Sequence, residues 1–235
     1  MDKTQYLCYG DSITKGVPGV TYLSYMSQYG DFKNHGLGGD TLIGVTKRIM
    51  DGIKAEDCPN YIVQIGTNDV LLPHLKSLSA AWEKQVGGLI KRGSVPCKDA
   101  KEFEERYDQL LTTLKEHHKN VKVINIPCVG EDVTSEPNKK VDAYNAVIDR
   151  LANAHGIDHI DFNRWQKTML QGHDTDGAYF ITANPMNMIL DSITTTHKPV
   201  CARLSKKRGL RITVDGCHLN AQGAEGMAKL VKEKL

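Results

Sequence analysis

A serine, a histidine and an aspartate stand where this chain could carry out nucleophilic catalysis. Ser12 lies in Gly10-Asp11-Ser12-Ile13-Thr14. A serine hydroxyl attacks poorly until a neighbouring base takes its proton. His218, in Asp215-Gly216-Cys217-His218, is the natural base, because imidazole titrates near neutrality. Asp215 lies three residues earlier, close enough within one turn to accept a hydrogen bond from the ring. That bond would fix the tautomer and stabilise the imidazolium that forms. A carbonyl under attack also needs donors for its developing negative charge. Ser12 opens an expected helix, so its backbone N–H and the helix dipole point at the attack site, and the Gly39 N–H and the Asn68 side-chain amide can supply two more.

These residues need elements to bring them together. Short apolar runs alternate with helix-period segments along the chain, the pattern of a parallel sheet covered on both faces. Strands are expected at Gln5–Tyr9, around Asn34–Leu37, at Tyr61–Ile65, at Val121–Ile126 and at His159–Phe162. Phe103, Tyr107, Leu110, Leu111 and Leu114 recur at helical steps, as do Val141, Tyr144, Ile148 and Leu151, with Gly156 as a stop. Asn220 is placed to cap a last helix carrying Met227, Leu230 and Val231 inward. Ligands in such sheets bind beyond the carboxyl ends of the strands. Strand one delivers Asp11-Ser12 there, strand two Gly38-Gly39-Asp40 and strand three Gly66-Thr67-Asn68-Asp69.

The blocks Gly10-Asp11-Ser12-Ile13-Thr14, Gly38-Gly39-Asp40-Thr41, Gly66-Thr67-Asn68-Asp69 and Asp215-Gly216-Cys217-His218 resemble the four blocks of the SGNH (GDSL) hydrolase family, in the family's order. The resemblance runs from residue 6 to about 230. It implies Ser12 as nucleophile, His218 as base, Asp215 as its orienting acid, and an oxyanion hole of the Ser12 amide, Gly39 and Asn68. It also implies a flavodoxin-like three-layer α/β/α fold with strand order 2-1-3-4-5, and no cofactor. Leu219 stands where many members carry proline.

Length and composition agree with this reading. The 235 residues fit one large α/β domain, 1–235, with 40% hydrophobic and 25% charged residues. Thirty basic against 28 acidic residues give a formal charge of +2, so bulk charge offers no case for a nucleic-acid partner. No apolar run reaches the length of a membrane span. Met1 to Gln5 lack the apolar stretch of a signal peptide, and six scattered cysteines (8, 58, 97, 128, 201, 217) read as reduced thiols. Both observations set the expectation of a cytoplasmic chain.

Plainer readings compete at each position. Ser12 alone would pass for a helix cap, Asn68 for a turn residue, Asp69 for a capping or buried turn acid, and Asp215 with His218 for a local turn. His155 and His159 are spaced like metal ligands but have no third partner, and read as ordinary polar positions. Ser12-Ile13-Thr14-Lys15 matches the S-x-x-K signature of β-lactamases, yet S-D-N and K-T-G are missing. The stretch 164–214 is longer than the minimal fold needs and is expected to wall the pocket or act as a lid. Within it, Met186, Met188, Ile189 and Leu190 read as core before an acyl pocket, and Arg203, Lys206, Lys207, Arg208 and Arg211 as a solvated loop face before a contact for an anionic substrate or surface.

The expectation is therefore a serine esterase for short-acyl, carbohydrate O-acetyl or other small-molecule esters. A lysophospholipase or thioesterase of longer chains is the runner-up, and a catalytically silent binding module the non-enzyme alternative. A nucleotide-binding protein is disfavoured, because neither G-x-G-x-x-G nor a Walker A motif is present.

Overall fold

The computed structural model describes residues 3–55, 57–174, 179–181 and 184–235. Along the chain run β1 (Gln5–Gly10), α1 (Ser12–Lys15), a 3-10 turn (Tyr22–Tyr25), β2 (Asp31–Gly36), α2 (Leu42–Gly52), β3 (Asn60–Gln64), α3 (Thr67–Leu78) and α4 (Ala80–Lys91). Then follow α5 (Ala100–Glu116), β4 (Asn120–Ile124), α6 (Glu136–His155), β5 (Asp158–Ile160), α7 (Phe162–Leu170), α8 (Met186–Thr194), α9 (Lys198–Lys207) and α10 (Ala221–Lys232).

All four pairings are parallel, and the sheet order is β2-β1-β3-β4-β5. The expected fold class and strand order hold. The central strands are buried along nearly their whole length, which is why they read as continuous apolar runs. Helices cover both faces: α2 packs on α5 and α5 on α6, while α10 packs on α7, α9 and the 3-10 turn. The apolar stripe read from Phe103 to Leu114 is the buried face of α5, and Phe103 stacks on Tyr144 of α6 at 4.2 Å between ring centroids. Asn220 caps α10 by accepting from the Gly223 amide.

Strand ends differ from expectation for local reasons. β5 stops at Ile160 because the Asp161 carboxylate accepts from the Arg164 amide and starts α7, so Phe162 is helical. β4 stops at Ile124, where side-chain amides replace the ladder. Asn145 pairs with both backbone groups of Ile126, Gln166 accepts from the Cys128 amide and Asn138 from the Val129 amide. This irregular stretch thus stays satisfied though buried.

The stretch 164–214 contains the end of α7 and all of α8 and α9, and its residues 175–178, 182 and 183 lie outside the described residues. The core expectation for Met186, Ile189 and Leu190 is overturned: they are 53%, 39% and 53% exposed on α8. Arg203, Lys206 and Lys207 are exposed as expected, but on helix α9. Arg208 departs from the solvated reading. Its guanidinium bonds Asp191 twice (2.8 and 2.9 Å) and the Val214 carbonyl (2.7 Å). The six cysteines are all free and buried. His155 bonds Asp108 at 2.6 Å and His159 lies 2.8 Å from Asp149.

Candidate active site

Four strand or loop ends meet beyond the carboxyl edge of the sheet. β1 ends at Gly10, and the Asp11 side chain accepts from the Ile13 amide (2.8 Å) to cap α1. Ser12 is therefore the first helical residue and not the cap. As a first-turn residue it has an N–H with no intrahelical acceptor. Burial pushes the Asp11 carboxyl up to about 6, against the hydrogen bonds it accepts.

The loop after β2 brings Gly38 and Gly39. Gly39 has φ +78°, a left-handed conformation that favours glycine. Asp40 follows and is held by Arg48, whose guanidinium also bonds the carbonyls of His35 and Gly10. One residue, Ile65, separates β3 from Gly66, with φ +114°, where an added Cβ would lie 2.6 Å from Ile126 Cδ1. That close approach lets α3 start without a linker and sets Asn68 in its first turn. The Asn68 amide donates to the Asp40 carbonyl (2.8 Å), tying the second and third blocks together. Asp69 accepts from the Leu42 and Cys97 amides (2.9 and 2.8 Å), and burial raises it to about 6.

The fourth block closes the site. Ser12 Oγ lies 2.8 Å from His218 Nε2, and His218 Nδ1 lies 2.7 Å from Asp215 Oδ2. Asp215 Oδ1 accepts from the backbone amides of Cys217 and His218, so its carboxylate is fixed on both oxygens. All three residues are buried. Burial works against ionisation of Asp215, but the His218 charge and these hydrogen bonds outweigh it and hold the carboxyl below its usual range. Burial likewise opposes a charged His218, and the Asp215 carboxylate outweighs it, raising the imidazole above its ordinary value. Such a chain can take a proton from the serine hydroxyl and hold it on the ring.

Ser12, Gly39, Asn68 and His218 line one cavity of about 160 Å³. Its remaining wall is largely aliphatic: Leu71, Leu72 and Leu75 of α3, Leu89 of α4 and Met188 of α8. Sequence reasoning singles out none of the four leucines and sees no helix over 67–91. Pro73 inside α3 and Gly87-Gly88 inside α4 obscure the helical pattern there. It misses Glu131 as well. The buried Glu131 carboxylate accepts from the amides of Arg211, Ile212 and Thr213, fixing the loop that leads into Asp215.

The sheet order and this site define an SGNH-type hydrolase fold. Solved structures of similar shape agree. They include LAE5, an alpha/beta hydrolase enzyme from the metagenome of Lake Arreo, Spain (TM-score 0.64, 16% identity, 98% of this chain and 94% of that one). The acetylxylan esterase Axe2 from Geobacillus stearothermophilus is similar too (0.65, 16%, 99% and 94%), as is the acetyl xylan esterase AlAXEase (0.64, 19%, 98% and 99%). At these identities the likeness concerns the fold. The profile of the GDSL-like lipase/acylhydrolase family matches residues 8–225, and the chain belongs to that family. No curated protein sequence matches it significantly.

Proposed function

We propose that this chain hydrolyses carboxylic esters with Ser12 as nucleophile, His218 as general base and acid, and Asp215 as the orienting carboxylate. The single observation that carries this is the continuous chain from Ser12 Oγ through His218 to Asp215, 2.8 and 2.7 Å long at its two links. In the cycle, Ser12 Oγ attacks the ester carbonyl carbon while His218 Nε2 takes the hydroxyl proton. The Ser12 and Gly39 amides and the Asn68 side chain hold the oxyanion. Each such donor is worth about 10²–10³ in rate, or roughly 3–4 kcal/mol. The carbon–oxygen bond to the alcohol then breaks, and His218 returns the proton to the leaving oxygen. Water attacks the acyl-enzyme, again losing a proton to His218, and the carboxylic acid departs as Ser12 is regenerated.

The cavity supports short acyl groups. An aliphatic cavity of about 150 Å³ takes a benzene-sized guest, so about 160 Å³ suits an acyl chain of about six carbons or fewer. Acetyl esters on carbohydrate fall within that limit, and they are the substrates named for Axe2 and AlAXEase. Variants of Axe2 with a serine or a histidine replaced by alanine are described as catalytic mutants, which suits the roles proposed for Ser12 and His218. A second reading, longer lipid acyl chains, draws support from the leucine wall and from the exposed apolar face of α8.

Hydrolysis of p-nitrophenyl acetate, butyrate, octanoate and palmitate by the wild type and Ser12→Ala tests both readings. Ser12-dependent activity that falls beyond butyrate supports the short-acyl esterase. Preference for palmitate overturns it in favour of the lipid esterase, and no Ser12-dependent turnover on any ester overturns the assignment of Ser12.

A further inference from the structure

Helix α8 has two faces with opposite surroundings. Its inner side sends Met188 and Ser192 to the cavity beside Ser12, and buries Asp191 against Arg208. Its outer side carries Met186, Ile189, Leu190 and Ile193, spaced i, i+3, i+4 and i+7, which makes one continuous stripe. Ile193 is 68% exposed, the highest value among the large hydrophobic residues described. A water-facing helix does not ordinarily present four apolar side chains in one stripe; such a patch marks a contact surface.

Charge selects among the surfaces it could meet. Between residues 184 and 211 stand six basic residues and one acid, Asp191, which Arg208 already neutralises. Lys198, Arg203, Lys206 and Lys207 are exposed on α9, which begins four residues after α8 ends. The whole chain carries only +2, so this excess is local. In a symmetric dimer the same patch would meet its own copy, setting basic residue against basic residue. Exposed apolar residues on one helix followed by exposed Lys and Arg on the next are instead the composition of a segment that lies in a lipid headgroup region. At nine residues α8 is about 13 Å long, enough to lie along a bilayer surface and too short to cross it.

We propose that the outer face of α8, together with the basic α9, docks this protein on an anionic lipid surface. The inference goes beyond ester hydrolysis and does not depend on acyl length, because docking is read without turnover.

The test is cosedimentation of the full chain with phosphatidylcholine vesicles, with and without phosphatidylglycerol. Binding is expected on the anionic vesicles, lost at high salt, and weakened about tenfold or more by Leu190→Ser with Ile193→Ser. That double variant is expected to hydrolyse a water-soluble p-nitrophenyl ester like the wild type, since neither residue lines the cavity. Equal binding to both vesicle types, or no binding to either, overturns the proposal. So does a concentration-dependent dimer that the same substitutions abolish, because a second copy would then cover the stripe.

Discussion

Glu131 holds Thr213 twice, its Oε1 accepting from the Thr213 amide at 2.8 Å and from the Thr213 hydroxyl at 2.7 Å. The same carboxylate takes the amides of Arg211 and Ile212, and Thr213 Oγ1 accepts from the Gly216 amide. A loop with no regular ladder thus presents Asp215 and His218 from a fixed base. Its anchor comes from the segment after β4, some eighty residues earlier in the chain.

Removing that anchor leaves three buried donors, the amides of Ile212 and Thr213 and the Thr213 hydroxyl, without their acceptor. Glu131→Ala is expected to destabilise the protein by at least about 3 kcal/mol, because each orphaned buried donor costs about 1–3 kcal/mol. Urea unfolding measures the loss, and ester turnover is expected to fall with it. Unchanged stability would mean that the loop holds itself.

Arg208 and Asp191 make a second brace, between α8 and the Val214 carbonyl. Asp191 is buried and Arg208 only partly exposed, so Asp191→Asn is expected to cost up to about 3 kcal/mol by leaving the guanidinium uncompensated. Replacing both partners by apolar residues of similar size, Asp191→Leu with Arg208→Met, is expected to cost less than the single change. A full double-mutant cycle by denaturant unfolding checks the coupling. Additive losses would contradict it.

With His218 as the proposed base, the charge on Asp215 is expected to set the acid limb of activity. The reaction needs neutral His218, and the Asp215 carboxylate raises the imidazole above its ordinary value. kcat/KM is therefore expected to fall as pH drops through a point above about 6.5. In Asp215→Asn the carboxylate no longer favours the protonated ring, so the limb moves to lower pH while kcat drops by about 10⁴. A limb that stays in place in that variant would separate His218 from the pH dependence.

Asn68 is expected to act on the transition state more than on substrate binding. Asn68→Ala removes one donor at the cavity and is expected to lower kcat by about 10²–10³ with little change in KM. It also loses the bond to the Asp40 carbonyl, so a modest drop in stability accompanies it. A rise in KM with kcat intact would assign Asn68 to ground-state binding instead.

The four blocks are legible in the sequence because each places its functional residue within a few positions of a strand end or turn. Periodicity finds strand ends, and Ser12, Gly39 and Asn68 follow them directly. The supporting residues are not legible. Glu131 meets partners 80 to 82 residues away, and nothing local distinguishes it from a surface acid. Arg208 shares its neighbourhood with exposed Arg203, Lys206 and Lys207, and only the fold singles it out for burial against Asp191. The leucines of α3 are not legible either: Pro73 obscures the helical pattern, and sequence does not distinguish a cavity wall from a filled core. The same ambiguity runs the other way at Met186–Leu190. An apolar stripe implies cover, and in α8 the inner side of the helix is packed while the stripe faces solvent.

The most direct test of the central claim is labelling with a fluorophosphonate, followed by mass spectrometry of the digested protein. A serine activated by His218 is expected to take a single covalent adduct on Ser12, and His218→Ala is expected to slow the labelling sharply. A folded wild-type protein with Ser12 unlabelled, or with the adduct on another residue, would contradict the account.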